Sequence, residues 1–143
     1  MHQIHILLVD DNEGDILLTR EALEEARIIN RISIAYDGMQ AIDLLRQSAR
    51  VPGTMPDLIL LDINLPKMNG TEVLSIIKTD PDLKRIPVIM LTTSSSEKDI
   101  LASYENYANC YITKPVDLDR FMDVVRTIED FWISIVKLPK MHA

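Results

Sequence analysis

Residues 58–61, Leu58-Ile59-Leu60-Leu61, make an unbroken apolar run that ends on Asp62 and is closed off by Pro66. Apolar residues without polar alternation over this length predict a strand covered on both faces, as the inner strands of parallel sheets are. Asp62 then stands at the carboxyl end of a central strand. In open α/β sheets that edge is where ligands bind. A carboxylate there is a nucleophile, a metal ligand or the N-cap of the following helix, and the rest of the chain has to decide which.

The remaining segments supply the partners such a strand needs. Ile4, Ile6, Leu7, Leu8 and Val9 predict a first strand that runs into Asp10-Asp11-Asn12. Helical spacing follows through Ile16, Leu17, Thr19, Arg20, Leu23 and Ala26. Asp11 or Asn12 is the expected N-cap, and Glu13 and Asp15 fall in the first turn, where the helix dipole favours acids. Ile32, Ile34 and Tyr36 alternate as a second strand, and Asp37 with Gln40 forms a capping-box pattern ahead of a helix with Ala41, Ile42, Leu44 and Leu45 inward. Pro52, Gly53 and Pro56 mark a loop before the strand at 57–62. Asn69 to Glu72 caps a third helix whose apolar residues are Val73, Leu74, Ile76 and Ile77. The polar stretch from Thr79 to Arg85 breaks that helix and is expected to be solvated. Val88 to Thr92 is the fourth strand, and Ser94 with Glu97 repeats the capping box for a helix reaching about Asn106. Cys110 to Thr113 is a short fifth strand, stopped by Lys114-Pro115, and a long helix over about 117–136 closes the pattern. Strands alternating with helices predict the α/β class, a parallel sheet and right-handed crossovers.

Bulk properties narrow the function. The 143 residues suit one domain, and 47% hydrophobic residues suit a packed core. A net charge of −7 disfavours nucleic acid as partner, because phosphate backbones are gripped by clustered Lys and Arg. There is no apolar run of about 18 residues to span a membrane, and Met1-His2-Gln3-Ile4 lacks the pattern of a signal peptide. The lone cysteine, Cys110, excludes an internal disulfide and fits a cytoplasmic protein. Its apolar setting predicts a packed, unreactive thiol. The histidines His2, His5 and His142 lie in termini or the first strand, not on a helical bundle face.

The polar residues at strand carboxyl ends are Asp10 and Asp11, Asp62, Thr92, and Lys114. In a doubly wound sheet these ends share one edge. Carboxylates gathered there repel one another unless positive charge sits among them. Mg²⁺ takes hard oxygen ligands of this kind, and Lys114 adds an ammonium. Metal and ammonium together suit Asp62 to accept a phosphoryl group, and the Thr92 hydroxyl can donate to one. Taken singly, each residue also has a plain role as cap, strand residue or surface lysine.

With Leu7-Leu8-Val9-Asp10-Asp11-Asn12, Leu60-Leu61-Asp62-Ile63-Asn64-Leu65-Pro66-Lys67-Met68-Asn69-Gly70, Val88-Ile89-Met90-Leu91-Thr92-Thr93 and Tyr111-Ile112-Thr113-Lys114-Pro115, the sequence resembles a response-regulator receiver domain of the CheY-like kind. The resemblance spans essentially the whole chain and implies a flavodoxin-like (βα)5 fold with strand order 2-1-3-4-5. It implies one receiver domain over residues 1–143, with an extended C-terminal helix and tail from about residue 117. By it, Asp62 is phosphorylated. Mg²⁺ is held by Asp11, Asp62 and the backbone carbonyl of Asn64, with Asp10 acting through water. Lys114 contacts the phosphoryl group, the Lys114-Pro115 peptide is cis, and Thr92 and Tyr111 form the switch. A narrower likeness joins Val9 to Asp15, Leu18 to Leu23, Leu91 to Ser94, Ala108 to Asp117 and Phe131-Trp132. These stretches resemble the stand-alone regulators served by bacterial phytochrome histidine kinases, which implies a sensor kinase as partner.

The stripe Phe121, Val124, Val125, Ile128, Trp132 and Ile135 marks the last helix. Twenty helical residues span roughly 30 Å, whereas strands of five or six cover about 17–20 Å. Phe131 and Trp132 should therefore overshoot the sheet, and a homodimer through the fourth helix, fifth strand and fifth helix is expected. Two other functions fit parts of the pattern. A haloacid-dehalogenase-like phosphatase uses a strand-end aspartate, Mg²⁺, a hydroxyl and a lysine, but needs an aspartate where this chain has Asn64. A protein-binding module that never uses phosphate leaves the acid, threonine and lysine set without a purpose.

Overall fold

A computed structural model of the chain describes residues 4–25, 29–93 and 110–132, apart from the side chains of Asn30 and of residues 127–132. Its elements in order are β1 (Ile4–Val9), α1 (Glu13–Glu24), β2 (Ile29–Ala35), α2 (Gly38–Ala49), β3 (Leu58–Asp62), α3 (Gly70–Thr79), β4 (Val88–Thr92), β5 (Cys110–Thr113) and α4 (Leu118–Trp132). The helix expected over 94–106 and the end of the long C-terminal helix lie outside the described residues, as do the side chains of Phe131 and Trp132.

The strands pair in parallel in the order β2-β1-β3-β4-β5, the flavodoxin-like arrangement anticipated from the motifs. β3 and β4 are buried at every position, as unbroken apolar runs require. Alternation along each strand divides the core in two. Leu7, Val9, Ile59, Leu61, Val88 and Met90 pack with α2 and α3, whereas Ile6, Leu8, Leu58, Leu60, Ile89 and Leu91 pack with α1 and α4. Phe121, Val124 and Val125 are the buried residues of α4 in that second cluster. No described helix is long and apolar enough to cross a membrane.

Caps follow the sequence closely. The side chains of Asn12, Asp37 and Asn69 accept from the backbone N–H of Asp15, Gln40 and Glu72 at 2.9, 2.8 and 3.0 Å. At α2 the reciprocal half of the capping box is shifted. Gln40 Oε1 accepts from the N–H of Tyr36, one residue ahead of the cap, at 2.9 Å. Tyr36 is consequently outside β2, which ends at Ala35 opposite Val9, and the residue is exposed. β2 also starts earlier than its alternation predicts, at Ile29.

Two inward faces differ from expectation. On α1 the buried residues are Ile16, Thr19 and Leu23, while Leu17 is 58% exposed, because a 100° step per residue carries it off that stripe. The 79–85 stretch is polar, yet Leu83 within it is fully buried beneath α3. Lys78 holds the same stretch down, donating to the carbonyls of Lys84 at 3.2 Å and Ile86 at 2.7 Å. Cys110 is half-buried against the α1/α4 core, and burial pushes its thiol pKa up, as expected of a packed rather than reactive cysteine.

Candidate functional site

Parallel pairing brings the carboxyl ends of β1, β3, β4 and β5 to one edge. Asp10 directly follows β1 and is fully buried; Asp62 ends β3 at 3% exposure; Thr92 ends β4 at 1%. Asp11 is exposed at the mouth. Carboxylate oxygens of Asp10, Asp11 and Asp62 all lie within 4.8 Å of one another.

Lys114 enters from beyond β5. Its backbone N–H donates to Thr92 O at 2.7 Å, and the peptide to Pro115 is cis, as expected. The side chain turns back into the edge, where Nζ donates to Asp10 Oδ2 at 2.7 Å, Asp62 Oδ2 at 2.8 Å and Asp15 Oδ2 at 3.0 Å. The second oxygens of Asp10 and Asp62 are engaged by backbone. Asp10 Oδ1 accepts from Asn12 N–H and Asp62 Oδ1 from Asn64 N–H, each at 3.0 Å. Desolvation alone lowers the pKa of the Lys114 ammonium, but the bonds to Asp10, Asp62 and Asp15 outweigh it and leave that pKa raised. Burial raises the Asp62 pKa, against the pull of Lys114 and the Asn64 N–H; Asp10 pushes it further up. Lys114 is the counter-charge that makes a buried acid pair tolerable.

Two contributors were not apparent from the sequence. Asp15 was visible only as a first-turn acid. Side chains on a helix tilt toward its N-terminus, so a first-turn acid on α1 reaches back over the strand edge to Lys114. Gly70 was visible only as part of a motif. A Cβ there would run into the carbonyl oxygen of Asp62 and stand 2.7 Å from Ile63 Cα. Its own N–H donates to Ile63 O at 2.9 Å. The absence of a side chain lets α3 start directly on the backbone of Asp62. Between them the loop turns through Lys67, held at φ 66°.

Thr92 and Tyr111 share the α2/α3 side of the sheet. Thr92 has the parity of Val88 and Met90, and Tyr111, paired with Met90, packs on the same cluster. Asp62 has the opposite parity, with Leu58 and Leu60.

A parallel sheet with this edge, acids on two strands and a returning lysine, is the architecture of a signalling receiver. The chain belongs to the response regulator receiver domain family, whose model matches residues 6–126, so it is a receiver-domain response regulator of two-component signalling. This is not the haloacid-dehalogenase family. Over 135 residues the chain is 47% identical to response regulator Rcp1 of Synechocystis sp., covering 94% of this chain and 92% of that protein. It also resembles the solved structure of the bacteriophytochrome response regulator AtBRR, with TM-score 0.77 and 40% identity over 88% of this chain and 92% of that one. The phosphorylated cyanobacterial phytochrome response regulator RcpA matches with TM-score 0.73 and 48% identity, over 92% and 95% of the two chains.

Proposed function

We propose that the chain accepts a phosphoryl group from a sensor histidine kinase on Asp62, in the presence of Mg²⁺, and passes the signal on by a change of shape. The observation that carries this is the placement of Asp62 between the Lys114 ammonium at 2.8 Å and the acids Asp10 and Asp11. In the transfer, an Asp62 oxygen attacks phosphorus. The O–P bond forms as the donor's P–N bond breaks, and the imidazole leaves with that electron pair and takes a proton from water. The Lys114 ammonium sits where charge builds on the transferring group.

The donor set fits a hard divalent cation. Asp10, Asp11 and Asp62 outnumber the charge of Lys114, and all offer oxygen. Asp11, Asp62 and the Asn64 carbonyl would hold Mg²⁺, with Asp10 reaching it through water. When bound, the ion supplies positive charge to the phosphoryl oxygens. Thr92 and Tyr111, on one face of the sheet, are the pair through which the new charge is read out. The likeness to phytochrome response regulators supports a phytochrome-like kinase as the donor. A cytoplasmic location and a homodimer through the face made by the helix expected over 94–106, β5 and the C-terminal helix, including Phe131 and Trp132, complete the reading. The phosphoryl group leaves by slow hydrolysis, without turnover of an external substrate.

The test is incubation with acetyl phosphate and Mg²⁺ followed by intact mass. One added phosphoryl group, absent from Asp62→Asn, is the expected result. A chain that takes up no mass is instead a phosphate-independent binding module.

A further inference from the structure

Lys114 has three ammonium hydrogens, and the structure gives it three carboxylate partners, Asp10, Asp15 and Asp62. A phosphoryl oxygen arriving on Asp62 needs one of those hydrogens, so one partner has to yield. The three are not equivalent. The Asp10 side chain is fully buried and pinned by Asn12 N–H through its other oxygen. Asp62 is the acceptor itself. Asp15 makes the longest of the three bonds, its side chain is 36% exposed, and it projects from the first turn of α1. Release into water costs Asp15 little, whereas the Asp10 side chain has no exposure to water and would lose its direct ammonium partner.

We propose that Asp15 is a positioning residue for Lys114, a carboxylate that holds its third ammonium hydrogen at rest and surrenders it to the phosphoryl oxygen. This rests on the reading of Asp62 as acceptor. It makes Asp15 a brake. The pair stabilises the resting state, is lost as the phosphoryl group arrives, and leaves a negative charge beside a second one. Neutralising Asp15 should therefore speed phosphorylation, the opposite of what loss of a merely structural contact does.

The experiment follows labelling rate by intact mass, with acetyl phosphate and saturating Mg²⁺. Asp15→Asn and Asp15→Ser are compared with wild type, with Asp15→Glu, which keeps the charge, and with Glu13→Gln. Glu13 is the other first-turn acid of α1 and makes no bond to Lys114. Melting temperatures establish that each variant is folded. The expected result is a rate about five-fold higher for the Asn and Ser variants, a size typical of losing one partly exposed ion pair. Glu13→Gln should stay near wild type, and Asp15→Glu, which keeps a carboxylate near the ammonium, should gain less than Asp15→Asn. Equal or slower labelling by both neutral variants overturns the proposal, as does an equal gain in Glu13→Gln, which would make the effect one of general helix charge. A wild-type chain that takes no label is a different result and overturns the acceptor reading beneath it.

Discussion

Lys114 Nζ lies 2.8 Å from Asp62 Oδ2, a contact between residues 52 positions apart that joins the ends of β3 and β5. It sets both the charge balance of the site and its stability. Lys114→Met leaves Asp10 and Asp62 buried without their ammonium. The expected loss is about 3–5 kcal/mol, the usual cost of removing one partner of a buried ion pair. Mg²⁺ should recover part of it, so thermal melts with and without the ion should show a larger upward shift for Lys114→Met than for wild type. Equal shifts would mean that Lys114 and the ion do not share a role.

Gly70 is the second control point. Gly70→Ala drives a Cβ into the Asp62 carbonyl oxygen, where only backbone can give. Overpacking of this kind typically costs about 1–3 kcal/mol. Because the atom displaced belongs to the proposed acceptor residue, acetyl phosphate labelling should slow as well. A variant that is less stable but labels at the wild-type rate would restrict Gly70 to packing.

His5 predicts an acid-side dependence at the opposite end of the sheet. Burial and the nearby Arg31 lower its pKa below the ordinary 6.5, against the opposing pull of Asp57 and the Met55 carbonyl. Its Nε2 pairs with Ser33 Oγ at 2.7 Å. With the folded pKa depressed, the unfolded chain binds the proton first, so this contribution is complete above 6.5 and lost as pH falls through the folded value. Urea midpoints from pH 7 to about 5 should fall less steeply in His5→Gln than in wild type.

Lys78 predicts a dependence on the basic side. Burial lowers its pKa from 10.5 to about 8. Between those values the folded protein has shed a proton that the unfolded chain retains, so stability rises with pH across that window. Lys78→Met should flatten the slope of denaturation midpoint against pH between about 8 and 10. An unchanged slope would show that the amine stays protonated on the carbonyls of Lys84 and Ile86.

Much of this was legible before any coordinates. The apolar runs of β1, β3 and β4 allow only buried strands, and caps at Asn12, Asp37 and Asn69 are local bonds that sequence spacing dictates. Tyr36 and Leu83 depart from what their segments predict for one reason. Alternation and polarity are averages over a window, whereas Tyr36 is drawn out of its strand by one bond to Gln40 and Leu83 is buried by the helix above it.

The sequence by itself determined the α/β class, the strand that carries Asp62, and the residues Asp10, Asp11, Thr92 and Lys114 at strand ends, because periodicity and capping act over a few residues. Only the tertiary structure decided that Asp15 joins Asp10 and Asp62 on the Lys114 ammonium, and that Gly70 must lack a side chain to clear the Asp62 carbonyl. Both depend on how α1 and α3 pack on the sheet edge, and no spacing along the chain encodes a separation of that kind.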